Sequence, residues 1–266
     1  MTNVNRAENK NYLIWERSYR TEPMAKIESE VRSRTQALPG FPYISSRGAK
    51  MVHMAYALKL LVRANVMAAL YASEDRNIKV QTDMANNTLR DIAHKDYIYV
   101  LRNEHGIGNM YAMGDVGFEF LGASPFDTDY TRTKLLSLYN INRVFNILCN
   151  DYREKYTLEW VTDPEFLSEY GGTTAASILW EQGEPKPVQS HLWLMLDTNF
   201  EMQQLNEVLR KQKEWIERLD SLTDHFPIMP DVYVVSSRVE DYVLKIVENG
   251  KACVDNMDAR HWVLKR

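Results

Sequence analysis

The chain has 266 residues, 45% of them hydrophobic and 26% charged, with a formal net charge of −4. That length is enough for two modest domains, each with its own core, and the composition excludes a wholly disordered chain. No apolar run approaches the ~20 residues of a membrane-spanning helix, the first twenty residues lack a secretory apolar stretch, and Cys149 and Cys253 form neither a disulfide framework nor a metal-ligand spacing, so the expected compartment is a reducing cytoplasm.

Charge is unevenly spread. Residues 1–122 carry 16 Lys and Arg against 13 Asp and Glu, and residues 123–266 carry 16 against 23. A slightly basic front half fits contact with nucleic acid and an acidic back half fits a different partner, although such an imbalance also arises by chance between domains.

Residues 1–46 read as a helical arm. Tyr12, Trp15 and Tyr19 fall at i, i+3 and i+7, one face of a helix, and a second helical stretch runs from Glu22 to about Ala37 before Pro39, Gly40 and Pro42 break the chain. The arm is open to three uses: reaching onto DNA, oligomerisation, or strapping the main domain. Aromatic residues at helical spacing favour packing over base stacking.

Residues 47–123 predict a winged helix-turn-helix. Met51, Met54, Ala55, Leu58, Leu61 and Val62 mark a first helix over Gly48–Val62, and Ala64–Tyr71 a short second one. A third is expected over Val80–Lys95, with Ala85, Leu89, Ile92 and Ala93 inward and Thr82 as its N-cap. Tyr97–Arg102 and Met110–Gly114 predict a β-hairpin, and Asp115–Leu121 a closing helix. Three helices followed by a hairpin give a helix that fits the major groove and a wing that holds its angle.

The third helix offers Gln81, Thr82, Asn86, Asn87, Arg90 and His94 toward DNA, and Lys79 and Lys95 flank it as phosphate contacts. Asn and Gln pair with adenine and Arg with guanine. On the hairpin, Arg102, Asn103, His105 and Asn109 suit a backbone or a minor groove. Asp83 and Asp91 on the same helix would repel phosphate, which keeps open a winged helix that docks protein instead of DNA.

Residues 124–266 predict an α/β domain. A helix is expected over Thr128–Tyr152, with Leu138, Ile141, Phe145 and Leu148 buried. Strands follow at Tyr156–Val161, Ala176–Glu181 and His191–Leu196, then a helix over Glu201–Leu222, a strand at Asp231–Val235 and a helix over Val239–Glu248. Gly171–Thr174 reads as a turn, and Trp180, Trp193 and Trp215 as core or interface residues.

A winged helix, a long helix, and strands ending in an acidic residue before a Lys-rich helix resemble the replication-relaxation family of plasmids, integrative elements and phages, over about Lys50–Val247. The resemblance implies a second domain like the restriction-endonuclease α/β core, whose strand ends in Glu-x-Asp. The matching stretch here is LWLMLDTNFEMQQLNEVLRKQKEW: Met195 stands where the family often has Glu, Asp197 matches the Asp, and Lys211 and Lys213 lie on the following helix. Glu159 and Asp163 are the further carboxylates that a metal-dependent nuclease would draw on, although their positions read first as surface and turn.

A nuclease of this type needs converging carboxylates and a lysine beside the attacking water. Here Asp197-Thr198-Asn199 lacks the lysine, and Met195 removes an acid, so a degenerate, non-catalytic core is expected. The six histidines are scattered, and no Gly-rich phosphate loop occurs, so neither metal nor cofactor is expected. The function expected is sequence-specific double-stranded DNA binding in replication control or transcription regulation. A divergent nuclease and a protein-interaction module are the alternatives. Expected partners are double-stranded DNA, a second copy in a homodimer and a replication or transcription protein, with no membrane.

Overall fold

Helix α1 (Ser46–Leu58) starts where Ser45, in an extended conformation, accepts the Gly48 N–H on its hydroxyl at 3.0 Å. It stops earlier than its apolar pattern suggests because Lys59 turns left-handed, with φ of 59°. Leu61 and Val62, expected as the helix's last apolar positions, instead form the short strand β2 (Leu61–Val62). The computed structural model in which these elements appear describes residues 18–21, 40–71, 77–101, 108–126, 129–170, 172–195, 225–228, 230–236 and 260–263.

Helix α2 (Arg63–Val66) runs directly into a π-helical turn, Met67–Tyr71, and helix α3 (Ile78–His94) follows. The α3 N-cap is Asn77, whose side chain accepts the Lys79 N–H at 2.8 Å. Thr82, expected in that role, lies inside the first turns and donates its hydroxyl back to the Ile78 carbonyl at 2.8 Å, a habit of threonine within helices. Replacing Asn77 by alanine is expected to cost about 1 kcal/mol in chemical denaturation, the usual loss for an N-cap.

Strands β3 (Ile98–Leu101) and β4 (Met110–Met113) pair antiparallel, Ile98 with Met113 and Leu101 with Met110. β4 pairs on its other side with β2, so the three-stranded sheet has the order β2-β4-β3. Helix α4 (Asp115–Leu121) spans the expected residues and buries Phe118 and Phe120.

Helix α5 (Arg132–Tyr152) opens the back half, capped by Thr131, and buries Leu138, Ile141, Phe145 and Leu148 as its spacing predicts. Strands β5 (Tyr156–Thr162), β6 (Thr174–Glu181), β7 (Pro187–Met195), β8 (Pro230–Ser236) and β9 (Arg260–Val263) build a mixed sheet. β5, β6 and β7 are antiparallel neighbours; β8 joins β7 and β9 joins β8 in parallel. A 3-10 turn, Glu165–Tyr170, follows β5. Thr174, read as part of a turn, is the first residue of β6. The expected helices over Glu201–Leu222 and Val239–Glu248 lie outside the described residues. The chain is thus a mixed α+β protein, and no described helix is long and apolar enough to cross a membrane.

The outer edge of this sheet is strand β1 (Tyr19–Arg20), antiparallel to β5 with Tyr19 opposite Trp160. Tyr19 was expected on a helix face with Tyr12 and Trp15, which lie outside the described residues. It is extended because its backbone completes the β5 edge and its ring packs edge-on to Phe145, with 6.0 Å between centroids. Tertiary pairing here overrides a local period that also fits a helix.

Strand alternation puts Leu158, Trp160, Ala175, Leu179, Trp193, Met195 and Val235 toward α5. These residues share one continuous cluster with Met51, Met54 and Ala55 of α1 and Leu89 and Ile92 of α3, so the core is unbroken across the Gly122–Pro125 segment.

A buried amide network ties the front helices to this frame. Asn142 of α5 donates to the Leu58 carbonyl at 3.0 Å and the Leu60 carbonyl at 2.8 Å, and its own oxygen accepts the Thr162 hydroxyl at 3.2 Å. Thr162 in turn accepts the Trp160 indole N–H at 2.9 Å. Asn65 accepts the Val62 N–H at 2.9 Å and donates to the Asn146 side chain at 2.8 Å. The break between α1 and β2 leaves carbonyls that no helix can satisfy, and α5 supplies the donors.

Candidate nucleic-acid interface

The inward stripe of α3 is Gln81, Ala85, Leu89 and Ile92, all buried. The opposite stripe is Val80, Asp83, Asn87, Arg90 and His94, all exposed. This division follows from 3.6 residues per turn. Gln81, expected to face outward, is only 6% exposed, because it precedes Ala85 and Leu89 at steps of four and therefore shares their face. The i, i+4, i+8 spacing was the signal that identifies it as inward.

The remaining expected contacts on α3 divide by position. Lys79, Asn87, Arg90 and His94 are exposed; Thr82, Asn86 and Lys95 are half-buried on the flanks. Lys95 sits at the C-cap and pairs with Asp91 at 2.7 Å, one helical turn away. Its ammonium also lies 5.9 Å from the ring of Tyr43, a residue that is 77% exposed and that sequence reading passed over. The Asp91–Lys95 pair cancels two opposite charges, so Lys79 and Arg90 face Asp83 as the remaining fixed charges of the helix surface.

The hairpin is held against the end of α3. The Tyr97 N–H donates to the Ile92 carbonyl at 3.1 Å, and the Gly114 N–H donates to the Tyr97 carbonyl at 3.0 Å. The buried Tyr97 hydroxyl donates to the Pro42 carbonyl at 2.6 Å, and burial raises its pKa above the ordinary phenol value. Tyr99 and Val100 of β3 are exposed, as is Asn109 just before β4; burial and then the charge of Asp115 raise the Tyr99 pKa. Arg102, Asn103 and His105 lie outside the described residues.

Among the described residues, the two expected carboxylates of the back half, Glu159 and Asp163, are engaged at separate places. Glu159, expected at the surface, is fully buried on β5, where it accepts the Ser18 hydroxyl at 2.7 Å and the Trp180 indole N–H at 2.9 Å. It alternates with Leu158 and Trp160 and so lies on the sheet face away from α5, the side that carries Val161, Ile178 and Trp180. Asp163 is the turn residue it was expected to be, left-handed with φ of 47°. Its carboxylate accepts the Thr174 N–H at 2.8 Å and pairs with Lys134 of α5 at 2.6 Å; Lys134 also donates to Thr173 at 3.0 Å. Lys134 was missed by sequence reading because its partner lies 29 positions away. Met195 is buried; Asp197, Lys211 and Lys213 lie outside the described residues.

A second polar group is buried in the sheet. The Trp193 indole donates to the Ser177 hydroxyl at 2.9 Å, and Ser177 meets His191 Nδ1 at 3.0 Å, all three on the α5 side of β6 and β7. Cys149 is a buried thiol whose pKa burial pushes well above the ordinary range, which keeps it protonated and inert. Among the described residues, no group of three or more His, Cys, Asp or Glu is arranged to hold a metal ion.

Compared with known proteins, the chain matches no family model, no curated protein and no solved structure.

Proposed function

We propose that residues 47–123 are a winged helix-turn-helix that binds double-stranded DNA, with α3 in the major groove and the β3–β4 hairpin as the wing. The observation that carries this reading is the order α1-β2-α2-α3-β3-β4 with sheet order β2-β4-β3, which leaves one polar stripe of α3 outward beside the hairpin. A helix supported on its inner face by α1 and α2 presents its outer face to a groove at a fixed angle. Asn87 and Arg90 then meet base edges, Lys79 meets phosphate, and Asn86 meets the groove wall.

The back half serves this unit as a frame. The run α5-β5-β6-β7, continued in parallel by β8, supports the likeness to a restriction-endonuclease core. Glu159 and Asp163 are each engaged with other partners at separate places, so the reading is of a non-catalytic domain that dimerises or recruits a protein. From the resemblance to the replication-relaxation family we infer that this role belongs to replication control or transcription on a mobile element, in the cytoplasm.

The test is binding of the full chain to duplexes selected from a randomised double-stranded library, read by mobility shift at low salt. Arg90→Ala should weaken the selected site about ten- to a hundred-fold, the worth of one bidentate guanine contact, while leaving random-sequence binding almost unchanged. A folded chain that retains no duplex at low salt would sink the proposal, and capture of a protein by the α3 face would replace it with the docking module.

A further inference from the structure

The outward stripe of α3 contains one apolar residue. Val80 is 48% exposed, one turn before Asp83 and two turns before Asn87, on the face centred opposite Ala85 and Leu89. Ile78 is more exposed, at 73%, but lies seven residues before Ala85 and so extends the inward side of the helix. Neither Val80 nor Asp83 carries a group that phosphate attracts, and Asp83 is repelled by it. Of the groups that phosphate does attract, Lys79 stands beside the stripe and Arg90 lies on that same edge of it, away from Val80. A stripe of this composition suits the floor of a major groove rather than its walls. On that floor the apolar feature is the thymine C5-methyl, and cytosine and adenine offer amino donors to a carboxylate.

We propose that Val80 is a specificity residue that packs on the C5-methyl of a thymine at the end of the recognised site read by the first turns of α3. The inference rests on the DNA-binding reading above. It adds the base that the helix's N-terminal turns select. Asp83, one turn further on, faces a neighbouring base edge and is kept off the backbone by its charge.

Replacing thymine by deoxyuridine removes only the methyl group, so the contact can be tested one atom group at a time. With the selected duplex and the full chain, each thymine is replaced singly by deoxyuridine and affinity is measured by titration. One replacement should weaken binding about four-fold, the effect of losing a single buried methyl. Val80→Ala should bind the unsubstituted duplex about four-fold more weakly and show no further loss with deoxyuridine at that position, whereas Ile78→Ala should keep the full methyl effect. If no position is methyl-sensitive, or if Val80→Ala keeps the sensitivity, the assignment of Val80 is overturned while DNA binding stands. If no duplex binds at all, both the assignment and the reading beneath it fall.

Discussion

Asn142→Leu is expected to destabilise the protein by about 4 kcal/mol and to lower its melting temperature by about 10 °C. The leucine has a similar volume, so little of the loss comes from packing. It comes from the Leu58 and Leu60 carbonyls, which lose their donor, and from the Thr162 hydroxyl, which loses its acceptor, in a place where water does not reach. Each buried polar group left unpaired costs roughly 1–3 kcal/mol, and the chain Trp160–Thr162–Asn142 polarises its own bonds. Asn142→Asp, with the same shape, should be at least as damaging, since it aims a carboxylate oxygen at two carbonyls. Asn146→Ala, at the half-buried end of the network, should cost only about 1 kcal/mol. Urea denaturation of the three variants gives the ranking. A loss under 1 kcal/mol for Asn142→Leu would mean that the front helices are not held by this network.

Gly117→Ala should cost about 3 kcal/mol, the upper part of the range for overfilling a packed site. Gly117 is inside α4, where alanine ordinarily helps a helix, so propensity alone predicts the opposite sign. Packing decides it. A Cβ at this position overlaps the Tyr97 carbonyl oxygen and comes within 2.8 Å of the Met113 methyl. The Tyr97 carbonyl cannot move freely, because it accepts the Gly114 N–H, and the Tyr97 ring is fixed edge-on to Phe120 at 5.5 Å. Helix α4 must therefore lift from the hairpin, loosening Phe118 and Phe120 from the core. The measurement is the same denaturation experiment with amide exchange across β3 and β4, where protection should fall more than in β5–β7. A neutral or stabilising result would show that α4 shifts at no cost and does not anchor the hairpin.

The sequence carried the parts of the fold that depend on short-range period. The α5 stripe of Leu138, Ile141, Phe145 and Leu148 is buried as its spacing implies, and α4 spans the residues expected. The helix expected to reach Val62 ends four residues earlier, at Leu58, for a local cause, a left-handed Lys59 that no apolar pattern announces. β1 was not legible because its partner β5 is far along the chain: Ser18 meets Glu159 at a separation of 141 positions. The same distance hid the burial of Glu159, whose type and neighbours read as surface. Gln81 is different, since its place beside Ala85 and Leu89 was readable and the residue type, suited to adenine, outweighed the geometry. Of the contacts expected on α3, Lys79, Asn87, Arg90 and His94 are exposed, as their period implies. Val80 was passed over because an exposed valine resembles a core residue until its helical face is known.

The central claim is that α3 and the hairpin bind double-stranded DNA. Its most direct measurement is the affinity of the full chain for a selected duplex as a function of salt. Binding through phosphate contacts releases counterions, so the logarithm of the association constant should fall linearly with the logarithm of salt concentration, with a slope of about −0.9 for each phosphate neutralised and steeper than about −2 overall. Arg90→Ala should lower specific affinity. A folded chain whose affinity for duplex DNA is undetectable at low salt, or is flat across the salt range and unchanged by Arg90→Ala, would contradict the account.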